Sequence, residues 1–99
     1  MSRISTSEVD GRFTITIDGN LAFDLNRDFR LACQSIPPHR PVVVDLTRSG
    51  YVDSVGLGML IQLREFHGGD RASVTLLGAN ETIRTILDVA NFARLFKIA

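Results

Sequence analysis

The chain has 99 residues, of which 44% are hydrophobic and 22% are charged. This length and balance predict a single globular domain over residues 1–99 that folds without a disulfide or a metal. Eleven basic residues match eleven acidic ones, which excludes the basic footprint of proteins that bind nucleic acid or anionic membranes. The amino terminus lacks the apolar core of a signal peptide and no apolar run is long enough to span a membrane, so a cytoplasmic protein is predicted.

The chain begins with the pattern of an antiparallel hairpin. Residues 3–9 predict a short strand, and Asp10-Gly11 is a strong hairpin-turn signal. Apolar and polar residues alternate over residues 12–18, which is the period of a half-buried strand. Gly19-Asn20 ends this second strand.

A helix follows the hairpin. Apolar residues recur at helical spacing over residues 25–36, and Pro37-Pro38 ends the helix. Asp24 or Asn26 is available as the N-cap. The single cysteine, Cys33, has no partner for an internal disulfide, and its helical context predicts a buried small hydrophobe.

The middle of the chain predicts a central strand and a second helix. Residues 42–46 are nearly continuously apolar and β-branched, as in a strand covered on both faces. A loop over residues 47–53 leads to a helix over residues 55–67, which Gly68-Gly69 closes as a C-cap.

The last third predicts one more strand and helix. Residues 72–77 read as a strand, and Asn80 can cap a third helix. Residues 92–98 are predicted to fold back onto the core. Strands that alternate with helices predict an α/β fold, in which the opening hairpin makes the β-sheet mixed and the α-helices pack on it.

One segment, residues 51–59, is not explained by the needs of folding. Ser54 is a good helix N-cap, and Asp53 sits where the helix dipole favours negative charge. Gly56 and Gly58 fall in the first turns of the helix, where each costs roughly 0.5–1 kcal/mol relative to alanine. They either leave room beside Ser54 for a partner or allow tight packing on the sheet, and the spacing alone leaves both alternatives open.

The second helix is predicted to have two apolar faces. With Leu57 at the centre of the buried face, Leu60 and Ile61 lie alongside it. A second stripe, largely opposite Leu57 and continuous with Ser54, consists of Val55, Met59, Gln62 and Phe66 and is predicted to dock onto a protein partner. Alternatively, Met59 and Phe66 widen the core contact, or Phe66 packs under the Gly68-Gly69 turn. The predicted partner-binding residues are Asp53, Ser54, Val55, Gly56, Gly58, Met59, Gln62 and Phe66.

The chain is not predicted to be an enzyme. A nucleophilic serine needs a base, and neither the spacing nor the context of His39 and His67 pairs them with Ser54; a lone histidine is far more often a surface residue. Asp45 lacks the paired acidic cluster of a phospho-accepting receiver domain and is predicted to cap or orient the following loop. The sequence contains no Walker loop, dinucleotide fingerprint or Cys/His cluster, so no cofactor, catalytic residue or metal is predicted.

The run Asp53-Ser54-Val55-Gly56-Leu57-Gly58 resembles the signature of the STAS domain family, the bacterial anti-sigma factor antagonists. In that signature an apolar strand ends in Asp-Leu, as in Val42-Val43-Val44-Asp45-Leu46 here, and a short loop leads to Asp-Ser-x-Gly-Leu-Gly. The likeness covers almost the whole chain and implies a STAS-like mixed sheet. The chain departs from better-known members at Asn20, which is often acidic, and at Asn91-Phe92, where Gly-Leu is common; these differences leave the partner's identity open.

The resemblance implies a switch at Ser54. A partner anti-sigma factor of the serine kinase type would phosphorylate Ser54, and a PP2C-type phosphatase would remove the phosphate. The unmodified form would bind the anti-sigma factor and free the sigma factor. The alternative is a STAS scaffold or regulatory module of a signalling or transport complex, in which Ser54 is only a helix cap.

Overall fold

The hairpin, the helices and the mixed sheet predicted from the sequence are all present in the computed structural model, which describes residues 3–99. Met1 and Ser2, at the start of the predicted domain, lie outside the described residues. The strands are β1 (Ile4–Val9), β2 (Arg12–Asp18), β3 (Val42–Arg48), β4 (Val74–Leu77) and β5 (Lys97–Ile98). The helices are α1 (Asn26–Ser35), α2 (Ser54–Phe66) and α3 (Glu81–Val89).

The strands lie in chain order across one mixed sheet. β1 pairs antiparallel with β2, and β2 to β5 are parallel to one another. The hairpin turn at Asp10 and Gly11 has φ values of 53° and 77°, the left-handed conformations that a two-residue type I′ turn requires. The predicted α/β class, with an N-terminal hairpin in a mixed sheet, is therefore confirmed.

The helices cover one face of the sheet. Inward-facing residues such as Ile15, Val44 and Leu76 are fully buried and form one cluster with buried residues of all three helices. The residues between them, such as Val43 and Asp45, are only half-buried. The prediction that β3 is covered on both faces is therefore wrong, because the pleat sends alternate side chains of this apolar run to the less covered face of the sheet.

The N-cap predicted from the sequence is present at α3 but not at α1. The Asn80 carboxamide oxygen accepts a hydrogen bond from the Ile83 N–H at 2.8 Å, which confirms the predicted cap of α3. The predicted cap of α1 is wrong: a 3₁₀ turn, Phe23–Leu25, runs directly into the helix, so neither Asp24 nor Asn26 caps it. Such 3₁₀ turns are common at helix N-termini.

The carboxyl terminus adds a strand that the sequence pattern did not reveal. β5 pairs with β4 through two residues, and the Ala99 N–H donates to the Leu76 carbonyl at 2.9 Å. The Gly78 N–H in turn donates to the Ala99 carbonyl at 3.1 Å. The tail does fold back onto the core, as predicted, and it does so as an edge of the sheet.

Candidate functional site

The candidate site lies where the loops after β2 and β3 meet the N-terminus of α2. The Leu21 N–H donates to the Tyr51 carbonyl at 3.0 Å, and the Asp53 N–H donates to the Leu21 carbonyl at 3.3 Å. The Asn80 side chain donates to the carbonyls of Ser49 and Gly50, both at 3.3 Å. Three separate chain segments therefore hold the entry to α2 in place.

Asp53, rather than Ser54, is the N-cap of α2. One Asp53 carboxylate oxygen accepts the Gly56 N–H at 2.7 Å, and the other accepts the Phe23 N–H at 3.1 Å. The predicted capping role of Ser54 is wrong by one position, because an aspartate caps as well as a serine and here also binds a second segment. Asp53 thus joins the start of α2 to the start of α1.

Ser54 occupies the first position of α2 with an exposed side chain. Its hydroxyl does not cap the helix, because the Asp53 side chain does so. The N–H groups of Ser54 and Val55 have no hydrogen-bond partner within residues 3–99, as expected for the first turn of a helix. The side chain therefore sits beside unpaired donors at the positive end of the helix dipole.

The two glycines of α2 differ in whether the fold requires a residue without a side chain. A Cβ atom on Gly56 would lie 2.1 Å from the Leu21 carbonyl oxygen, so this glycine is required by tight packing against the preceding loop. A Cβ atom on Gly58 would meet nothing within 4 Å among the described residues. The packing interpretation is therefore confirmed for Gly56, whereas packing does not explain the absent side chain of Gly58, for which room for a partner stays a prediction.

The predicted rotation of α2 is wrong. Its buried residues are Gly56, Met59, Leu60 and Leu63, while Leu57 is only half-buried. Met59 is 3% exposed and belongs to the core, whereas Ile61 is 38% exposed. The buried face is displaced from Leu57 because the contact of Gly56 with the Leu21 carbonyl turns that side of the helix inward.

Of the eight predicted partner-binding residues, four have exposed side chains: Ser54, Val55, Gln62 and Phe66. Gly58 is half-buried, with open space above it. Asp53 is half-buried and held by its two hydrogen bonds, and Gly56 is buried. The predicted partner-binding set is therefore incomplete as a surface, because Gly56 and Met59 both face into the protein.

Three exposed apolar side chains near Ser54 were missed by sequence reasoning. Phe23 and Tyr51 lie on the two loops joined to α2, and Ile61 lies two turns along the outer face of α2. Nothing in the local sequence pattern around Phe23 indicates that its side chain is exposed. We call the exposed region made by Phe23, Tyr51, Ser54, Val55, Gly58 and Ile61 the Ser54 surface.

Asp45 has the local role that its position predicted. Its carboxylate accepts hydrogen bonds from the Thr47 N–H at 3.0 Å and from the Thr47 hydroxyl at 2.7 Å. Both residues belong to β3, so Asp45 orders the last residues of the strand, from which the loop to α2 departs. No three His, Cys, Asp or Glu side chains of residues 3–99 are placed to hold a metal ion.

The two histidines are far from Ser54 in chain position and differ in burial. His39 is exposed, but His67, at the end of α2, is fully buried, so its predicted surface location is wrong. Neither ring nitrogen of His67 has a hydrogen bond of ordinary geometry within residues 3–99. Burial lowers the pKa of His67 below 6.5; the nearby Cys33 backbone opposes this shift, and His39 adds to it.

We expect the protein to lose stability when the pH falls from about 7.5 to about 5.5. The pKa of His67 is lower in the folded state than in the unfolded state, so unfolding takes up a proton in this range and acid favours it. Urea denaturation at the two pH values measures the change. His67→Gln should reduce the pH dependence while the matched exposed variant His39→Gln retains it, and an unchanged dependence in His67→Gln would contradict the assignment.

Cys33 is buried as predicted, and we expect its thiol to be almost inert in the native protein. Burial raises its pKa from 9.0 to about 12, so its thiolate fraction near neutral pH falls roughly a thousandfold. Labelling with a chromogenic disulfide at about pH 8 should be slow in buffer and fast in denaturant. The control is Ser35→Cys in a Cys33→Ala background, which places an exposed thiol on the same helix and should react fast both in buffer and in denaturant. If Cys33 in the native protein is labelled as fast as this control, the expectation is refuted.

The fold and the site together define a small α/β domain with an exposed serine at a helix entry and no metal cluster among residues 3–99. Residues 4–97 match the family described as Mlab, STAS domain. A STAS-domain containing protein of Pseudomonas aeruginosa (strain UCBPP-PA14) is 40% identical over 102 residues, which cover 100% of both chains. The chain belongs to the STAS domain family, as its sequence motifs predicted.

Solved structures share this fold at low sequence identity. A Thermotoga maritima protein assigned as an anti-sigma factor antagonist is 17% identical, with a TM-score of 0.82 over 96% of this chain and 84% of that chain. The anti-sigma factor antagonist SpoIIAA in its unphosphorylated form is 16% identical, with a TM-score of 0.72 over 97% and 86%. SpoIIAA in its phosphorylated form, described as a Bacillus cell fate determinant, has a TM-score of 0.66.

The fold also occurs in transport proteins. A sulfate transporter family protein from Wolinella succinogenes is 16% identical, with a TM-score of 0.74 over 87% of this chain and 71% of that chain. At these identities the likeness shows the fold alone. Within residues 3–99 no helix combines the length and the apolar character needed to cross a membrane.

Proposed function

We propose that this domain is a non-enzymatic anti-sigma factor antagonist that acts in the cytoplasm and is controlled by phosphorylation of Ser54. The unmodified domain binds an anti-sigma factor of the serine kinase type, which then releases its sigma factor. Phosphorylation by that kinase ends binding, and a PP2C-type phosphatase restores it. One observation carries the proposal: an exposed hydroxyl occupies the first position of α2, and exposed apolar side chains lie on α2 and on the two loops joined to its start.

The domain itself should tolerate the phosphate. A phosphoserine adds about −1.5 to −2 charges, and the unpaired N–H groups of Ser54 and Val55 at the helix N-terminus favour an anion. The neighbouring Asp53 carboxylate already accepts two N–H groups, which leaves its local structure in place. No refolding is therefore needed for the switch.

A partner should not tolerate the phosphate. Binding through the Ser54 surface removes Phe23, Tyr51, Val55 and Ile61 from water, which supplies a hydrophobic driving force. A doubly charged group in the middle of that contact would have to be desolvated against apolar side chains, which is strongly unfavourable. Electrostatics and sterics at the contact are thus sufficient for control.

Gly58 supports close approach by the partner. It lies one turn after Ser54 on the outer side of α2, and its missing side chain leaves the helix backbone accessible. Since folding leaves this glycine unexplained, its helix-propensity cost of roughly 0.5–1 kcal/mol is consistent with selection by a partner surface.

Phosphorylation is tested by intact-mass measurement of the purified domain after incubation with ATP and the anti-sigma kinase encoded by the same organism. We expect one added phosphate on the parent domain and none on Ser54→Ala. A PP2C-type phosphatase should return the parent mass. Equal modification of the Ser54→Ala variant would place the phosphate elsewhere and refute the site.

The second candidate function is a scaffold or regulatory module of a signalling or transport complex without a phospho-switch. It is favoured by the shared fold of the Wolinella succinogenes sulfate transporter family protein. Affinity capture with Ser54→Ala and Ser54→Asp in parallel separates the two. An anti-sigma factor retained by the alanine variant and lost by the aspartate variant supports the switch, whereas transport or scaffold proteins retained equally by both support the alternative.

A further inference from the structure

A groove runs between α1 and α2, beside the Ser54 surface. The hydrogen bond between the Phe23 N–H and the Asp53 carboxylate joins the starts of the two helices. Cys33, near the end of α1, lies beside His67, which follows the end of α2. The two helices are therefore roughly parallel, and the groove leads from the end near Ser54 toward the other end of the pair.

The floor of the groove is apolar. One stripe of each helix forms it, Phe29 and Cys33 from α1 and Met59 and Leu63 from α2. All four side chains are buried, and none offers a polar group that a charged ligand could use. The thiol is no exception, because burial raises the pKa of Cys33 to about 12 and keeps it neutral.

The rim of the groove is polar and carries one charge. Asn26, Arg30 and Gln34 line it from α1, and Gln62 and Phe66 line it from α2. Arg30 is exposed, it is the only charged residue of the lining, and it has no ion pair within residues 3–99. Because no carboxylate lines the groove, an acidic group of an occupant would complement it.

The size of the groove fits side chains of a helix. Its volume of about 190 Å³ is below the roughly 300 Å³ at which small-molecule sites begin. Its α1 side extends from Asn26 to Gln34, a span of about 12 Å at about 1.5 Å per residue, which matches two turns of an opposing helix. An amphipathic helix in such a groove would insert apolar side chains spaced three or four residues apart.

We infer that this groove docks an amphipathic helix of the partner protein, with apolar side chains on the Phe29–Met59 floor and a carboxylate paired with Arg30. The inference rests on the proposed function in that the helix belongs to the same anti-sigma factor that covers Ser54. Val55 lies one helical turn before Met59 and two before Gln62, which both line the groove, so it shares their side of α2 and connects the groove with the Ser54 surface. A second copy of this chain fits poorly, because a two-fold contact would place both Arg30 side chains in one interface without a carboxylate in the lining.

The first test uses the purified anti-sigma factor retained by the Ser54→Ala domain. Isothermal titration should show that Arg30→Glu raises the Kd by about tenfold or more, because it replaces an attraction with a repulsion. The matched variant Arg27→Glu makes the same charge change on an exposed part of α1 outside the groove and should alter the Kd by less than about twofold. Equal effects of the two variants would overturn the inference, even where Ser54→Asp abolishes binding.

The second test needs no cognate partner. A designed amphipathic peptide of about 16 residues, long enough to form a helix, carries leucines at i and i+4 and a glutamate beside them. Titration into the ¹⁵N-labelled domain should shift amide signals along the groove. A lysine version should bind the parent at least about tenfold more weakly and should bind Arg30→Glu better than the glutamate version does.

The two proposals fail in different ways. Absence of an anti-sigma factor among captured proteins refutes the proposed function, and the peptide titration then decides the groove alone. No peptide binding up to about millimolar concentration, signal shifts on another face, or equal affinity for the two peptides would overturn the groove inference. Groove variants that weaken partner binding while Ser54→Asp does not would leave the groove standing without the switch.

Discussion

Ser54→Asp is expected to weaken binding of the anti-sigma factor by about 5- to 150-fold, while Ser54→Ala binds as tightly as the parent domain. The aspartate places a charge in the centre of the Ser54 surface, where Val55, Tyr51 and Ile61 are to be desolvated. The fold should not change, because Ser54 is exposed and Asp53 supplies the helix cap. Titration calorimetry measures the affinities, and far-UV circular dichroism checks the fold.

Thr82→Asp is the matched control for this charge. Thr82 is exposed in the first turn of α3 and is not one of the residues that form the Ser54 surface, so the variant adds the same charge to a different helix N-terminus. It should leave the affinity within about twofold of the parent. Equal affinities of the alanine and aspartate variants at Ser54, or equal losses in Ser54→Asp and Thr82→Asp, would refute control at this interface.

Alanine at the two glycines of α2 is expected to have opposite effects on stability. Gly56→Ala should lower the free energy of unfolding by about 1–3 kcal/mol or more, because its Cβ would overlap the Leu21 carbonyl. Gly58→Ala should raise it by about 0.5–1 kcal/mol, because the helix propensity improves and the Cβ enters open space. Urea denaturation measures both changes.

The more stable Gly58→Ala domain should nevertheless bind the anti-sigma factor less tightly. A methyl group on the outer side of α2 would hold the partner away from the helix backbone beside Ser54. Thr85→Ala, an exposed change on α3 outside the Ser54 surface, is a suitable comparison for binding. A Gly58→Ala domain that is stabilised but binds with parental affinity would show that no partner approaches at this position.

Much of the site could be predicted because its information is local. The Asp53-Ser54 pair before a glycine-containing apolar run identifies a helix entry, and the structure differs from that prediction by one position in the cap. The local sequence could not show that packing requires Gly56 but does not require Gly58. Their difference depends on the Leu21 carbonyl, which is contributed by a loop more than thirty residues earlier in the chain.

The rotation of α2 shows the same limit. Leu57, Leu60 and Ile61 are all apolar, and so are Val55, Met59 and Phe66, so periodicity alone allowed more than one buried face. Contact of Gly56 with the loop from β2 selected the face with Met59 and Leu63 inside. The same contact turned Ile61 outward toward the Ser54 surface.

The amino-acid sequence by itself determined the order of the first four strands and the three helices, the hairpin at Asp10-Gly11, the cap at Asn80 and membership of the STAS family. Each of these depends on turn chemistry, side-chain period or a contiguous motif, which operate over a few residues. Only the tertiary structure decided which side of α2 faces outward, that Phe23 and Tyr51 lie near Ser54, and that His67 is buried. These features depend on contacts between segments distant in sequence, and the free energy of such contacts is not encoded in any local pattern.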